Sequence, residues 1–181
     1  MNCIGLIELS SIAAGFQVCD AMLKAASTEL VVSRSICSGK YMVMIRGDVA
    51  AVQASVDAGS NAGEFSVIDS FVIPNLDEQV MRAIGGNTKV ETLESLGIIE
   101  SFSVAALIEG ADAAVKAAAV ELIEIRLAMA LGGKAFATMT GDVASVQAAV
   151  EAGARVVGQK GMLVNKVVIP SPRPELLNEM I

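Results

Sequence analysis

The sequence contains no histidine, and its three cysteines, Cys3, Cys19 and Cys37, form no CxxC pair. A Ser/His/Asp triad, an imidazole base and any histidine-containing metal site are therefore excluded. Three separated thiols leave one over if two join, which is the pattern of reduced intracellular cysteines rather than of a disulfide framework. Cys19 falls on a helical stripe with Ile12, Phe16 and Leu23 and reads as a small core residue. Cys3 opens a strand and has no evident partner. Cys37 lies between two strands in SRSICSGKYMV, and on spacing alone it is a turn thiol, because cluster sites announce themselves as several cysteines in one chain. The acids form no catalytic pair either: Glu8 and Glu100 are equivalent positions of a repeat, near strand ends, and read as polar edge residues or partners for backbone amides. Gly132-Gly133-Lys134 lacks the earlier glycine and the following Ser/Thr of a nucleotide loop. No enzyme activity is expected.

Composition narrows the partners. With 13 basic and 20 acidic residues the net charge is -7, which disfavours nucleic acid phosphates and anionic lipid. Five Phe and Tyr41 leave little for stacking on bases. Hydrophobic residues reach 54%, yet no run of about 18 uncharged apolar residues occurs, so no membrane-spanning helix is expected. The start MNCIGLIELS carries an acid and no basic stretch, which argues against a secretory signal and for a cytosolic chain.

A tandem duplication organises the chain. GLIELSSIAA from Gly5 returns as GIIESFSVAA from Gly97, DAMLKAASTEL from Asp20 as DAAVKAAAVEL from Asp112, GDVAAVQASVDAG from Gly47 as GDVASVQAAVEAG from Gly141, and VIP at Val72 returns at Val168. The first copy is expected over 1–84, a polar, glycine-led linker over 85–95, and the second copy over 96–181.

Within a copy the hydrophobic period alternates. Ile4 to Leu9 reads as a strand; Ser10 or Ser11 caps a helix with Ile12, Phe16, Cys19 and Leu23 on its apolar face, repeated by Val104, Ile108, Ala111 and Val115. Leu30 to Ile36 and Tyr41 to Arg46 read as strands joined by a Ser-Gly turn. Asp48 caps a second helix with Val49, Val52 and Val56 on one side, and Phe65 to Ile73 is a last strand, followed by a short helix after VIP. The order βαββαβ predicts an α+β fold: two tandem, non-permuted ferredoxin-like domains, each a four-stranded, mainly antiparallel sheet with two helices on one face. Helices as rich in small residues as DAAVKAAAVE bury little area, so an obligate oligomer is expected, its two copies acting as pseudo-equivalent subunits.

The tandem copies, the D-x-x-x-K-A-A helix segment, the G-K strand start, the G-D-V-x-x-V-Q helix and the V-I-P ending together resemble the bacterial microcompartment (BMC) shell-domain family, over nearly all of both halves. Two copies in one chain are similar to its tandem-domain members, which form homotrimers that mimic a hexagonal tile. SRSICSGKYMVMIRGD and AMALGGK are most similar to the iron–sulfur type found in propanediol-utilisation microcompartments. In that family the loop between the second and third strands lines the central pore. The resemblance therefore implies that Ser35, Ile36, Cys37, Ser38 and Gly39, with Ala130, Leu131, Gly132 and Gly133, surround a threefold axis where Cys37 faces its two symmetry mates.

Three converging thiolates can ligate three irons of a 4Fe-4S cube, the fourth taking a non-protein ligand or water. The implied cofactor is one cluster per trimer, and the implied role is electron transfer or cluster delivery across the shell. Lys24 and Lys116 occupy the family's tile-rim position, where such lysines pack by stem and by backbone-carbonyl hydrogen bonds rather than by simple ion pairing. Arg173 in IPSPRPELL resembles the edge motif that the first copy replaces with IPNLDEQ. The implied partners are other shell proteins at tile edges and an encapsulated or cytosolic redox enzyme, and the implied location is the shell of a cytoplasmic microcompartment. Two other readings stand beside this one: a metal-free tile that passes small metabolites, and a ferredoxin-like small-molecule sensor, since this architecture hosts many functions.

Overall fold

Serines start the first helix of each copy. Strand β1 (Cys3–Leu9) gives way to helix α1 (Ile12–Ala25), where the Ser11 hydroxyl accepts the Ala14 N–H at 3.3 Å. Strand β5 (Ser95–Ser101) and helix α4 (Val104–Ala117) repeat the device, with Ser103 accepting the Ala106 N–H at 3.1 Å. Each cap satisfies one of the first-turn donors that a helix leaves open. These features come from a computed structural model of the chain, which describes residues 3–86, 88, 90, 92–129, 131–173 and 175–178.

The first copy continues through β2 (Glu29–Ile36), β3 (Lys40–Gly47), α2 (Val49–Gly63), a 3-10 turn (Glu64–Ser66), β4 (Val67–Ile73) and α3 (Glu78–Ile84). The second continues through β6 (Glu121–Arg126), β7 (Ala135–Thr140), α5 (Val143–Gln159), β8 (Leu163–Pro170) and the short α6 (Glu175–Asn178). Each copy forms its own antiparallel sheet, in the orders β2-β3-β1-β4 and β6-β7-β5-β8. Inserting β3 between β1 and β2 is the split βαβ arrangement expected of a ferredoxin-like domain.

Packing divides the chain into two units, 1–76 with 128–133, and 77–127 with 134–181. This differs from the border read from polarity at 84/85. Helix α3 follows the first sheet in sequence but packs on β6 and α4, burying Val80 and Ala83. The Gln79 amide brackets the edge strand β6: Nε2 donates to the Val120 carbonyl at 3.3 Å, and Oε1 accepts the Leu122 N–H at 3.1 Å. Asp77 caps α3 by accepting the Gln79 N–H, and its own N–H donates to Asp112 Oδ1 at 2.9 Å.

The first unit's core lies between the sheet and the helices, built from Ile7, Leu9, Val18, Met22, Tyr41, Val43, Ile45, Val52 and Val56. The face of α1 that enters it is Gly15, Val18 and Met22, not the expected stripe. Ile12, Phe16 and Leu23 are exposed, Phe16 at 65%, and Cys19 alone of that stripe packs against the core, as a partly buried neighbour. The physical reason is close approach: a Cβ on Gly15 would fall 2.3 Å from the Tyr41 ring, and one on Gly59 of α2 would fall 2.5 Å from Met22, so glycines admit the larger side chains. In the second unit Val104, Ile108 and Ala111 of the corresponding stripe are buried, and α4 meets α5 where Gly110 and Gly153 allow backbone contact. Two smaller departures follow the same logic. Val49 is exposed at the first position of α2, and Phe65 lies in the 3-10 turn, fully exposed, rather than in β4.

Glu8 and Glu100 do not serve as backbone partners alone, since each ion-pairs with the lysine of a G-K strand start. The Glu8 side chain, fully buried, meets Lys40 Nζ at 2.8 Å; Glu100 meets Lys134 at 2.6 Å with both groups partly exposed. Lys40→Met is therefore expected to lower the free energy of unfolding in a urea titration by about 3–5 kcal/mol, because a buried carboxylate loses its cation. Adding Glu8→Gln should recover most of that loss, and Lys134→Met should shift stability by less than about 1 kcal/mol.

Candidate pore loop

The turn joining β2 to β3 is Cys37-Ser38-Gly39, and its geometry follows from residue type. Ser38 and Gly39 have φ of 69° and 70°, the left-handed pair that closes a tight hairpin. Ile36 is buried at one side of the turn and Lys40 is held by Glu8 at the other, so the tip is anchored at both ends. Ser35, Ser38 and Gly39 are exposed, and Cys37 is half-buried between them.

The equivalent loop of the second copy joins the first unit. The Cys37 backbone N–H donates to the Ala128 carbonyl at 2.7 Å, and a Cβ on Gly133 would fall 2.4 Å from the Ser38 hydroxyl. Ala128 reaches this position with a φ of 41°, and Gly132 and Gly133 follow at 62° and 87°. Ser35, Ile36, Cys37, Ser38 and Gly39 are thus assembled with the segment carrying Leu131, Gly132 and Gly133; Ala130 lies outside the described residues. Ala128 is the residue that sequence reasoning missed. Nothing in its type marks it, because its role is carried by a backbone carbonyl. Met129, about half exposed, was also not singled out.

Neither loop carries a charged side chain between 35 and 39 or between 128 and 133. A thiol there stands among hydroxyls, amides and apolar groups. Cys37 is the one cysteine on this loop; burial pushes the Cys3 thiol up, away from the thiolate form that metals need, and Cys19 lies on α1. Among the described residues of one chain, no group of three His, Cys, Asp or Glu side chains is placed to hold a metal ion. A single protomer brings one sulfur to this place, so any metal cluster here requires thiolates from other copies.

The remaining candidates lie elsewhere. Lys24 on α1 pairs with Asp20 at 2.6 Å and is well exposed; Lys116 on α4 pairs with Asp112 at 2.5 Å. Within the chain each lysine forms an i,i+4 ion pair. Arg173 precedes α6 and grips Glu175 with Nη2 at 2.9 Å and Nε at 3.4 Å; this bond raises the guanidinium pKa and lowers that of the carboxyl.

Comparison with known proteins identifies this architecture. The BMC domain family matches residues 3–76 and 95–172, one match per copy. The chain is 42% identical to the bacterial microcompartment shell protein PduT of Citrobacter freundii, over 98% of this chain and 97% of that one. It is 44% identical to the shell protein EutM of Salmonella typhimurium over 84 residues, 46% of this chain and 85% of EutM, as expected when one copy aligns to a single-domain relative. A solved microcompartment protein from Desulfitobacterium hafniense DCB superposes with a TM-score of 0.87 at 52% identity, covering 98% of this chain and 99% of that one. Two antiparallel BMC sheets in one chain, matched end to end by tandem relatives, place this protein in the family of tandem BMC-domain microcompartment shell proteins.

Proposed function

We propose that this shell protein works as a homotrimeric tile whose central pore is ringed by the 35–39 and 128–133 loops, with Cys37 of three chains ligating one 4Fe-4S cluster. The observation that carries the reading is the bond from the Cys37 N–H to the Ala128 carbonyl. It fastens the corresponding loops of both copies to each other, so a threefold ring of chains would present six similar loops to one axis and only three thiols. The residues fit such a group. The loop is uncharged, Cys37 sits at its tip, and no other cysteine competes there.

Cys37 would hold three of the irons and leave the fourth to a non-protein ligand. When bound, the cluster supplies one-electron transfer, suited to moving electrons or clusters across the shell toward an encapsulated or cytosolic redox enzyme. The protein's own part is positional. Lys40, paired with buried Glu8, and Ile36 hold the turn, and the left-handed Ser38 and Gly39 direct its tip. Lys24 and Lys116 are assigned to the tile rim, where lysine stems meet other shell proteins. The exposed hydroxyls of Ser35 and Ser38 support a second reading, a metal-free pore for small polar metabolites.

The test is iron and acid-labile sulfide analysis on protein purified without oxygen. About four of each per three chains is expected, lost in Cys37→Ser while the particle size in solution is unchanged. Iron-free wild-type protein, after anaerobic reconstitution, leaves the metal-free pore as the function. The rim assignment is tested separately: Lys24→Ala combined with Lys116→Ala should keep the trimer and reduce flat arrays in electron micrographs. Undiminished arrays would remove these lysines from the rim.

A further inference from the structure

The second unit contains a docked connector, and the duplication supplies both halves of the same lock again. Three hydrogen bonds attach α3: Asp77 N–H to Asp112 Oδ1, Gln79 Nε2 to the Val120 carbonyl, and Leu122 N–H to Gln79 Oε1. In the first unit Asp20, Thr28 and Leu30 stand at the positions of Asp112, Val120 and Leu122, and their local geometry matches. Thr28 N–H donates to the Ala26 carbonyl at 3.0 Å, as Val120 does to Ala118. The ladder of β2 shifts between Leu30 and Val32, as that of β6 shifts between Leu122 and Glu124. Asp20 holds Lys24 through Oδ2, as Asp112 holds Lys116.

The surface is covered in one unit and open in the other. Leu122 is 0% exposed beneath α3, whereas Leu30 and the neighbouring Leu23 of α1 are each 40% exposed. Among the described residues, Asp20 Oδ1 has no partner corresponding to Asp77.

The missing plug exists at the other end of the chain. The Leu176 N–H donates to the Arg173 carbonyl at 3.0 Å, as Val80 does to Asp77 at 3.1 Å, and Pro172 is buried as Leu76 is. Arg173, Glu175 and Leu176 therefore correspond to Asp77, Gln79 and Val80. Helix α3 reaches from the end of one copy to the copy that follows it in sequence. Helix α6 holds the same place after the second copy, and the surface of the same kind that stays open at Leu23 and Leu30 belongs to a first unit, here that of another molecule.

We propose that the segment Arg173–Leu176 of one chain docks on α1 and β2 of a second copy of this chain. This deepens the trimer reading and rests on it, adding the contact that sets partner order. The Arg173 N–H and guanidinium meet the Asp20 carboxylate, a charge-assisted improvement on the Asp77 N–H alone. The Glu175 carboxylate accepts the Leu30 N–H at the β2 edge; lacking an amide donor, it forgoes the bond to the Thr28 carbonyl that Gln79 makes at Val120. Leu176 covers Leu23 and Leu30. The contact is head-to-tail, so three molecules close a ring without leaving either surface unmet.

Charge exchange in the full chain tests this, read by analytical ultracentrifugation across a concentration series. Asp20→Arg and Arg173→Asp singly place like charges together and should each weaken association tenfold or more, while the double exchange should restore it to within a few-fold of wild type. Circular dichroism on each variant confirms that the fold is retained. Wild type trimeric with both single variants equally trimeric overturns the docking alone, as does a double exchange no tighter than the singles. Wild type that stays monomeric at all concentrations overturns the trimer reading and the docking with it.

Discussion

An edge strand presents a row of unpaired N–H and C=O groups that must be paired, covered or left to water. Each sheet of this protein has such a strand beside its first helix, β2 in one copy and β6 in the other. The second copy resolves the problem inside the chain: one glutamine amide, Gln79, supplies both the donor and the acceptor that β6 needs, and the helix bearing it buries Val80 and Ala83. Asp112 adds a carboxylate that accepts a backbone N–H while holding Lys116. Because the chain is a duplication, the same strand edge occurs again at β2, where no helix among the described residues covers it as α3 covers β6. Apolar residues at 12, 16, 23 and 30 remain in solvent around it. That inequality between two similar halves is what supports the proposed association.

The candidate pore loop uses the duplication in a second way. Two hairpin loops of similar sequence meet in one unit, one supplying a backbone donor at Cys37 and the other an acceptor at Ala128. Neither loop is charged, and both depend on left-handed backbone at Ser38, Gly39, Gly132 and Gly133. Glu8 and Lys40 fasten the first of them from within the sheet, so the tip is held by a buried ion pair rather than by its own contacts. Divergence between the copies then leaves one loop with a thiol and the other without, which reduces six similar loops to three cysteines in the proposed ring.

Much of the fold was legible because its signals are local. Ser11 and Ser103 at helix starts, the Ser-Gly turn and the short apolar runs of β1, β3 and β5 each depend on a few adjacent residues. The stripe Ile12, Phe16, Cys19 and Leu23 misled because helical periodicity reveals an apolar face without saying what will bury it. The core took the adjacent face, where Gly15 admits the Tyr41 ring, and left most of the conspicuous stripe at the surface. The packing border of the first unit depends on a more distant contact. Polar residues at 85–95 mark a connector, but α3 before them had already crossed to the second unit, drawn by Asp112 and the β6 edge. Cys37 was visible as a turn thiol, whereas Ala128 was not visible at all, since a carbonyl acceptor is common to every residue.

By itself the sequence determined the duplication, the order of elements in each copy, the exclusion of imidazole chemistry and the position of a lone thiol in a hairpin turn. Those are properties of residue type and short spacing, and no distant contact alters them. Only the tertiary structure decided which face of α1 enters the core, which unit receives α3 and which carbonyl receives the Cys37 N–H. These depend on groups tens of residues apart in the chain, whose meeting is set by steric fit and by the pairing of buried polar groups rather than by any pattern along it.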